Sequence, residues 1–251
     1  MHWKRPCREG GGPLAAALGL ALLLAGPSAA RATDHRDGAV QLAAPETDLL
    51  DLYAWMSPDR RLVHIVLTAF PDAGSGARFS EAALYVIHAA SRQKFTDSVA
   101  QNVRQEIVCQ FDAQQRIRCW LGADYVEGDP SSPGGLVSRG GLFRVFAGPR
   151  QDVSFFNLDG LAAFRSTLKG YLTGGQITTI DANGCPLIPS ALRPGLSAQL
   201  RERPGAPGAA PQNAYAGKTA LALVLSVDSK ALSAGGSILS LWAGTHKVGA
   251  P

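Results

Sequence analysis

The sequence predicts a mainly β protein: an antiparallel, β-sandwich-like single domain with one or two helical inserts. Seven apolar runs rich in β-branched and aromatic residues recur along the chain, separated by clusters of Gly, Pro, Ser and Asp. Several of these runs are apolar at successive positions, which is typical of strands that are covered on both faces. Only one stretch has a helical period. The seven runs are 62–70, 82–90, 106–111, 116–122, 142–148, 220–227 and 237–244.

The helical stretch follows the segment FFNLDG. Leu161, Phe164 and Leu168 recur at a spacing of three to four residues, and Lys169-Gly170 marks the expected end. Asp159 is the expected N-terminal cap, because a side-chain oxygen there can accept a backbone N–H of the first turn.

Two stretches have the composition of loops, 127–141 and the Pro/Gly/Ala-rich segment 193–217. The second is long for a compact domain, so we expect either a mobile insertion or a segment draped over a sheet edge. Trp55, Trp120 and Trp242 are expected to be core or edge aromatics.

Residues 1–32 have the pattern of a secretory signal peptide. Basic residues precede an Ala/Leu run of about 13 residues, and small residues follow it. A bilayer span needs about 20 apolar residues, so we expect no transmembrane anchor in the mature chain. Cleavage is predicted after Ala32, with cleavage after Ala30 as the alternative. The mature chain, 33–251, is expected to be a single domain in the periplasm or outside the cell.

The charge of the mature chain argues against nucleic acid as a partner. The leader contains four of the 24 Lys and Arg residues and one of the 20 Asp and Glu residues. Its removal leaves 20 positive and 19 negative side chains. Binding to nucleic acid normally requires a basic face, so this class of partner is not expected.

Three cysteines follow the leader. Cys109 and Cys119 lie in two β-like runs on either side of a polar segment, so a hairpin would bring them close enough for a disulfide. Cys185 has no evident partner in the sequence. We expect it to be a buried thiol, or else to form an intermolecular bridge.

Several motifs together resemble an exported bacterial family called domain of unknown function forty-three thirty-one. They are DHRDG, DLLDLYAWMSPD, ALYVIH, RVFAGPRQDVSFFNLDG, NAYAGKTALALVLSV and SLWAGT, and they extend over almost the whole mature chain. The resemblance implies a fold and an exported location, but it implies no mechanism. The chain departs from the family pattern at Val153, Asn157, Asn213 and Thr219, and at 90–94, where the family has an acidic turn.

The DHRD cluster, 34–37, is the first candidate site. Asp34, His35 and Asp37 could hold a divalent cation, because carboxylate oxygen and imidazole nitrogen are common metal ligands. No other cofactor is suggested by the sequence.

Arg36 points to a different role for the same cluster. Its guanidinium could pair with Asp48 or Asp51 on the next segment and hold the new amino terminus in place. We favour this structural interpretation over metal binding, because the spacing matches no specific metal motif.

Two histidines form a second candidate site. His64 and His88 are equidistant from Gly76, so a simple hairpin centred there would place them opposite each other on an apolar face. They could then bind a metal together with His35. We favour half-buried histidines with one hydrogen bond each, because the register is only inferred.

The segment FAGPRQDVSFFNLDG contains the third candidate. Arg150 could bind an anion beside the aromatic rings of Phe155 and Phe156. We favour the structural alternative, in which these rings fill the junction between sheet and helix and Arg150 pairs with Asp152 or a loop carboxylate.

The sequence lacks the common hydrolase elbow, the HExxH metalloprotease motif and the glycine-rich nucleotide loops. It therefore favours an exported, non-enzymatic binding or envelope-associated module whose partner is undetermined. The alternative is a metal-dependent, hydrolase-like enzyme that uses Asp34, His35 and Asp37 with His64 or His88.

Overall fold

The structure, a computed structural model, describes residues 43–248. These residues form ten strands in two five-stranded antiparallel sheets, together with three helices. The prediction of a mainly β, sandwich-like fold with helical inserts is confirmed.

The first sheet has the strand order β1-β2-β9-β8-β7, and the second has the order β10-β3-β4-β5-β6. All seven predicted strands are present, and β1, β6 and β7 are additional. The strands are β1 Leu49–Met56, β2 Leu62–Ala69, β3 Ala83–Arg92, β4 Val103–Phe111, β5 Ile117–Leu121, β6 Asp124–Gly128, β7 Leu136–Val137, β8 Phe143–Gln151, β9 Thr219–Asp228 and β10 Ile238–Lys247.

The core lies between the two sheets and is built from alternate residues of each strand. In β2 these are Val63, Ile65 and Leu67, and in β9 they include Leu223 and Leu225, all nearly inaccessible to solvent. The intervening residues of each strand point outward. Alternation with period two therefore gives each sheet one inner and one outer face.

The predicted hairpin between β2 and β3 is wrong. β2 pairs with β1 and β9, whereas β3 pairs with β10 and β4 in the other sheet. The chain between them is tied to the start of β9, because Ala73 and Thr219 exchange two hydrogen bonds. The 13 residues of this connection thus cross from one sheet to the other instead of forming a tight turn.

The connection from β8 to β9 is a helical insert. Helix α1 spans Leu158–Thr173, α2 spans Arg193–Arg201, and a short α3, Ser229–Leu232, follows β9. The predicted helix is thus confirmed but extends beyond Gly170. The predicted loop 193–217 begins with a helix, because Pro194 suits a first turn and Leu196 is buried.

The predicted disulfide is present. Cys109 and Cys119 face each other across β4 and β5, with their Cα atoms 4.2 Å apart, and both are fully buried. Cys185 is exposed, so the prediction of a buried thiol is wrong. It lies in a turn between the two helices of the insert, where the hydrogen bonds of Asp181 hold the backbone at the surface.

Candidate functional site

A network of polar side chains joins the insert to the first sheet. The Ser154 hydroxyl donates to the Asp51 carboxylate, and the Ser154 backbone N–H donates to Asp152 Oδ1 at 2.9 Å. Asn213 Nδ2 donates to the Ser154 carbonyl at 3.0 Å. We call this set, with Tyr53, the insert junction. It brings together residues from β1, from the end of β8 and from the segment before β9.

Asp51 can reach the insert because β1 is irregular at this point. The register of β1 against β2 shifts between Leu49 and Leu52, and the Asp51 N–H donates to the Thr68 hydroxyl at 3.1 Å instead of to a strand carbonyl. The bulge therefore redirects the Asp51 side chain.

The hydroxyl of Tyr53 is affected by the carboxylates of the insert junction. Burial raises the pKa of its hydroxyl, and a hydrogen bond with Ser154 acts in the opposite direction. The negative charges of Asp51 and Asp152 add to the increase in this pKa. Tyr53 therefore stays protonated at neutral pH.

Two asparagines form hydrogen bonds through both the oxygen and the nitrogen of their side-chain amides. Asn213 Oδ1 accepts from the backbone N–H groups of Phe156 and Tyr215, both at 3.0 Å. Asn157 caps α1, because its Oδ1 accepts from Gly160 at 3.0 Å. The prediction that Asp159 caps this helix is therefore wrong.

The amide nitrogen of Asn157 also closes the end of α2. It donates to the carbonyls of Gln199, Leu200 and Glu202, at 3.3, 3.0 and 3.0 Å. An aspartate has no donor for these carbonyls when it is ionised. An asparagine is therefore required at this position for the contact between α1 and α2.

The cluster Asp34, His35, Arg36 and Asp37 lies outside the described residues, so its metal-binding and structural interpretations both stay predictions. Asp48 and Asp152 are both buried. Asp48 immediately precedes β1, and its carbonyl accepts the N–H of Phe70 at 3.0 Å.

Arg150 is oriented differently from both predictions. Its guanidinium carbon lies 3.9 Å from the centroid of the Phe146 ring, and its Nη1 donates to the Pro149 carbonyl. Phe155 is exposed and does not fill the junction, whereas Phe156 packs near Tyr215. Arg150 thus belongs to a surface stack on the first sheet.

The structure separates the two strand histidines. His64 lies on the outer face of the first sheet, and its Nδ1 is 2.9 Å from the Ser226 hydroxyl. His88 lies on the outer face of the second sheet, and its Nδ1 is 2.9 Å from Glu106 Oε1. Because the core separates these faces, the two imidazoles do not form one site.

Each of these histidines has a tryptophan as its cross-strand neighbour. Trp55 lies opposite His64 with ring centroids 5.5 Å apart, and Trp242 stacks on His88 at 5.1 Å. Both tryptophans lie on strands at the end of their sheet, as predicted for edge aromatics. They are 52% and 43% exposed.

The second sheet has further rings on the same outer face. Trp120 lies opposite Tyr125 in the row that also contains Val108, Val86 and Gly244. His246 lies two residues beyond Gly244 on β10. We call this set the aromatic face, which comprises Trp120, Tyr125, Trp242, His88 and His246.

Sequence reasoning missed this face, although a signal for it exists. Trp242, Gly244 and His246 alternate along one strand, so they share one face of the sheet. The rings that join them come from strands distant in sequence, and only the strand order shows that they are neighbours.

Two carboxylates on this face have a side-chain partner. Arg118 Nη2 lies 3.2 Å from Glu127 Oε1, and Glu106 is paired with His88. Arg139 lies over the Tyr125 ring, with its guanidinium carbon 4.4 Å from the ring centroid.

Clefts open at both ends of the sandwich. One, of about 420 Å³, lies beside Phe79, Phe111 and Pro149, and the other, of about 660 Å³, lies beside Tyr125 and Arg139.

In residues 43–248, no group of three or more His, Cys, Asp or Glu side chains is placed to hold a metal ion. None of the helices in the described part of the chain is long and apolar enough to cross a membrane.

Comparison of the chain with protein-family models, with curated proteins and with solved structures gave no significant match.

Proposed function

We propose that this chain is an exported, non-enzymatic binding module, and that its aromatic face binds a neutral polysaccharide of the cell envelope or its surroundings. The observation that carries the proposal is the exposure of Trp242 on a sheet face that also holds Trp120 and Tyr125. Exposed clusters of large apolar rings mark interaction surfaces in proteins.

The chemistry of the face fits a carbohydrate. Pyranose rings present C–H groups on their flat sides and hydroxyl groups at their edges, so they pack on aromatic rings and bond to polar side chains. Trp120 and Trp242 are separated by three strand spacings, about 14 Å, and by two residues along the strand, about 7 Å. Glu106, Gln110 and Arg118 lie on the same outer face and can bond to hydroxyl groups.

The charges of the face favour a neutral ligand. The face mixes the cations Arg104, Arg118 and Arg139 with the carboxylates of Glu106 and Glu127, so neither sign of charge dominates it. A face of mixed charge gives no strong attraction to a polyanion or a polycation, and we therefore propose a neutral polymer.

Export supports the same function. The disulfide is consistent with an oxidising compartment, where such polymers are found. The predicted signal peptide and the resemblance to the exported family point in the same direction.

The test is depletion of the purified protein from solution by insoluble cellulose, chitin or xylan. We expect saturable binding to at least one of them, and a loss of about tenfold or more in affinity in Trp242→Ala, as for a hot-spot aromatic. Trp55→Ala is the matched control, because Trp55 is also an exposed edge tryptophan beside a histidine. Binding to none of the three polymers, or equal losses in the two variants, would contradict the proposal.

A further inference from the structure

The outer face of the second sheet also brings two imidazoles together. The ring centroids of His88 and His246 are 6.1 Å apart, and the rings are nearly perpendicular, with an interplanar angle of 77°. The two residues lie on neighbouring strands, β3 and β10, four positions apart in the register. Both rings therefore lean toward the space between them.

Gly244 makes this approach possible. It lies between Trp242 and His246 on the same face of β10, and a Cβ atom at this position would lie 3.3 Å from His246 Nε2. Without that atom, the imidazole of His246 can lie over the strand and toward His88. A side chain at position 244 would crowd it.

The separation of the rings suits a shared metal ion. A late first-row metal binds imidazole nitrogen at about 2.0–2.1 Å, which places the ion about 3.2 Å from each ring centroid. Two ligating rings can then be at most about 6.4 Å apart. The observed 6.1 Å lies within this limit, and an approach of the rings by about 1 Å would give the separation that a tetrahedral angle at the ion requires.

Glu106 prepares His88 for such a role. Its carboxylate lies 2.9 Å from His88 Nδ1, so this nitrogen carries the proton and Nε2 is left with its lone pair. A carboxylate that holds the second nitrogen of a ligating imidazole is the usual outer shell of a metal-bound histidine. His64 has no such carboxylate at Nδ1, because its partner there is the hydroxyl of Ser226.

We propose that His88 and His246 form a surface site for a divalent late transition-metal ion, with Glu106 as the positioning residue and water as the remaining ligands. Two imidazoles and water suit Cu²⁺, Ni²⁺ or Zn²⁺, and Cu²⁺ is expected to bind most tightly. The site differs from the predicted cluster at 34–37 and does not depend on polysaccharide binding.

The test is titration of the purified, untagged protein with Cu²⁺ alone, in a background of Cys185→Ser and His35→Ala, so that neither the exposed thiol nor the candidate metal site at 34–37 competes. Isothermal titration calorimetry gives the stoichiometry and affinity, and electron paramagnetic resonance counts the coupled nitrogens. We expect one Cu²⁺ per chain, coupled to two imidazole nitrogens. We also expect quenching of Trp242, because its ring stacks on His88.

His88→Ala and His246→Ala should each lower the affinity at least tenfold, and Glu106→Gln should lower it about tenfold. The matched control is His64→Ala, which should bind as the parent does. His246 is exposed on an edge strand, so its variant should stay folded, which circular dichroism checks. Coupling to fewer than two nitrogens, unchanged binding in His246→Ala, or an equal loss in His64→Ala would overturn the proposal.

Discussion

Each outer face of the sandwich has a tryptophan opposite a histidine, but the surroundings of this pair differ between the two faces. On the first sheet, the pair Trp55 and His64 adjoins the hydroxyl of Ser226, and outward-facing residues nearby, such as Thr68 and Ala222, are buried. On the second sheet, the pair Trp242 and His88 adjoins a carboxylate and a second histidine, and further aromatic rings lie on the same outer face.

This comparison shows that a residue pair does not define a site. The polar groups near the first pair are used to hold the insert, as at Asp51 and Ser154. The polar groups near Trp242 and His88 lie at an exposed aromatic surface. We therefore assign a structural role to the first outer face and a binding role to the second.

The largest expected effect is on the stability of the insert that packs on the first sheet, at Gly160. A Cβ atom there would clash with the Asn157 amide and the Gln199 carbonyl, at the point where α1 and α2 meet. We expect Gly160→Ala to lower the free energy of unfolding by about 3 kcal/mol. Chemical denaturation measures this, and Gly170→Ala is the control, because nothing lies within 4 Å of a Cβ atom at Gly170. Equal stability of the two variants would show that the insert is not packed in this way.

The second effect concerns the sheet that carries the aromatic face. Replacing both Cys109 and Cys119 with alanine should lower the free energy of unfolding by about 3 kcal/mol, because the cross-link restricts the unfolded chain. Urea denaturation of the oxidised protein and of the variant measures the difference. A loss below about 1 kcal/mol would mean that the disulfide contributes little to holding β4 and β5 together.

Asn157→Asp tests the double role of this side chain and should cost about 2 kcal/mol. The carboxylate of the variant can still accept from Gly160. It would, however, face the three carbonyls to which the Asn157 amide donates in the parent protein. Asn157→Ala loses both contacts without adding repulsion. If Asn157→Asp were as stable as the parent protein, the amide would not be needed at α2.

The smallest effect depends on pH and concerns the turn that borders the aromatic face. Burial acts to raise the pKa of Asp124, but hydrogen bonds from Ser138, Gly140 and Leu142 outweigh it, so this pKa lies below its ordinary value. A carboxyl group with a lowered pKa stabilises the fold above its ordinary pKa, about 3.9, and loses that contribution as the pH falls through the lowered value.

Asp124→Asn should therefore reduce stability at pH 7, by about 1 kcal/mol, and the difference from the parent protein should shrink below about pH 4. Thermal denaturation from pH 7 to pH 2 follows it. A difference that grows as the pH falls would contradict the direction of this shift.

Much of the fold could be predicted because strands leave a local signal. The seven apolar runs, the hairpin that joins Cys109 and Cys119, and the helix around Phe164 all depend on short-range patterns. β1 escaped the strand prediction because its bulge interrupts the alternation near Asp51. The helix α2 escaped because its composition, rich in Pro, Gly and Arg, resembles a loop.

The candidate sites were harder to predict because they depend on strand order. His64 and His88 look like partners in the sequence, since a turn lies midway between them. Their separation follows from hydrogen bonds between Ala73 and Thr219, about 150 residues apart, which no local pattern reveals. His88 and His246 are neighbours for the same reason: β10 returns to pair with β3.

The most direct test of the division between the two faces is a titration followed by the indole N–H signals of the protein in a ¹H–¹⁵N spectrum. A soluble oligosaccharide of the polymer that the protein binds serves as the ligand. We predict that the signals of Trp242 and Trp120 shift in a saturable manner while that of Trp55 stays in place. Shifts at Trp55 with none at Trp242 would contradict the assignment of binding to the second sheet.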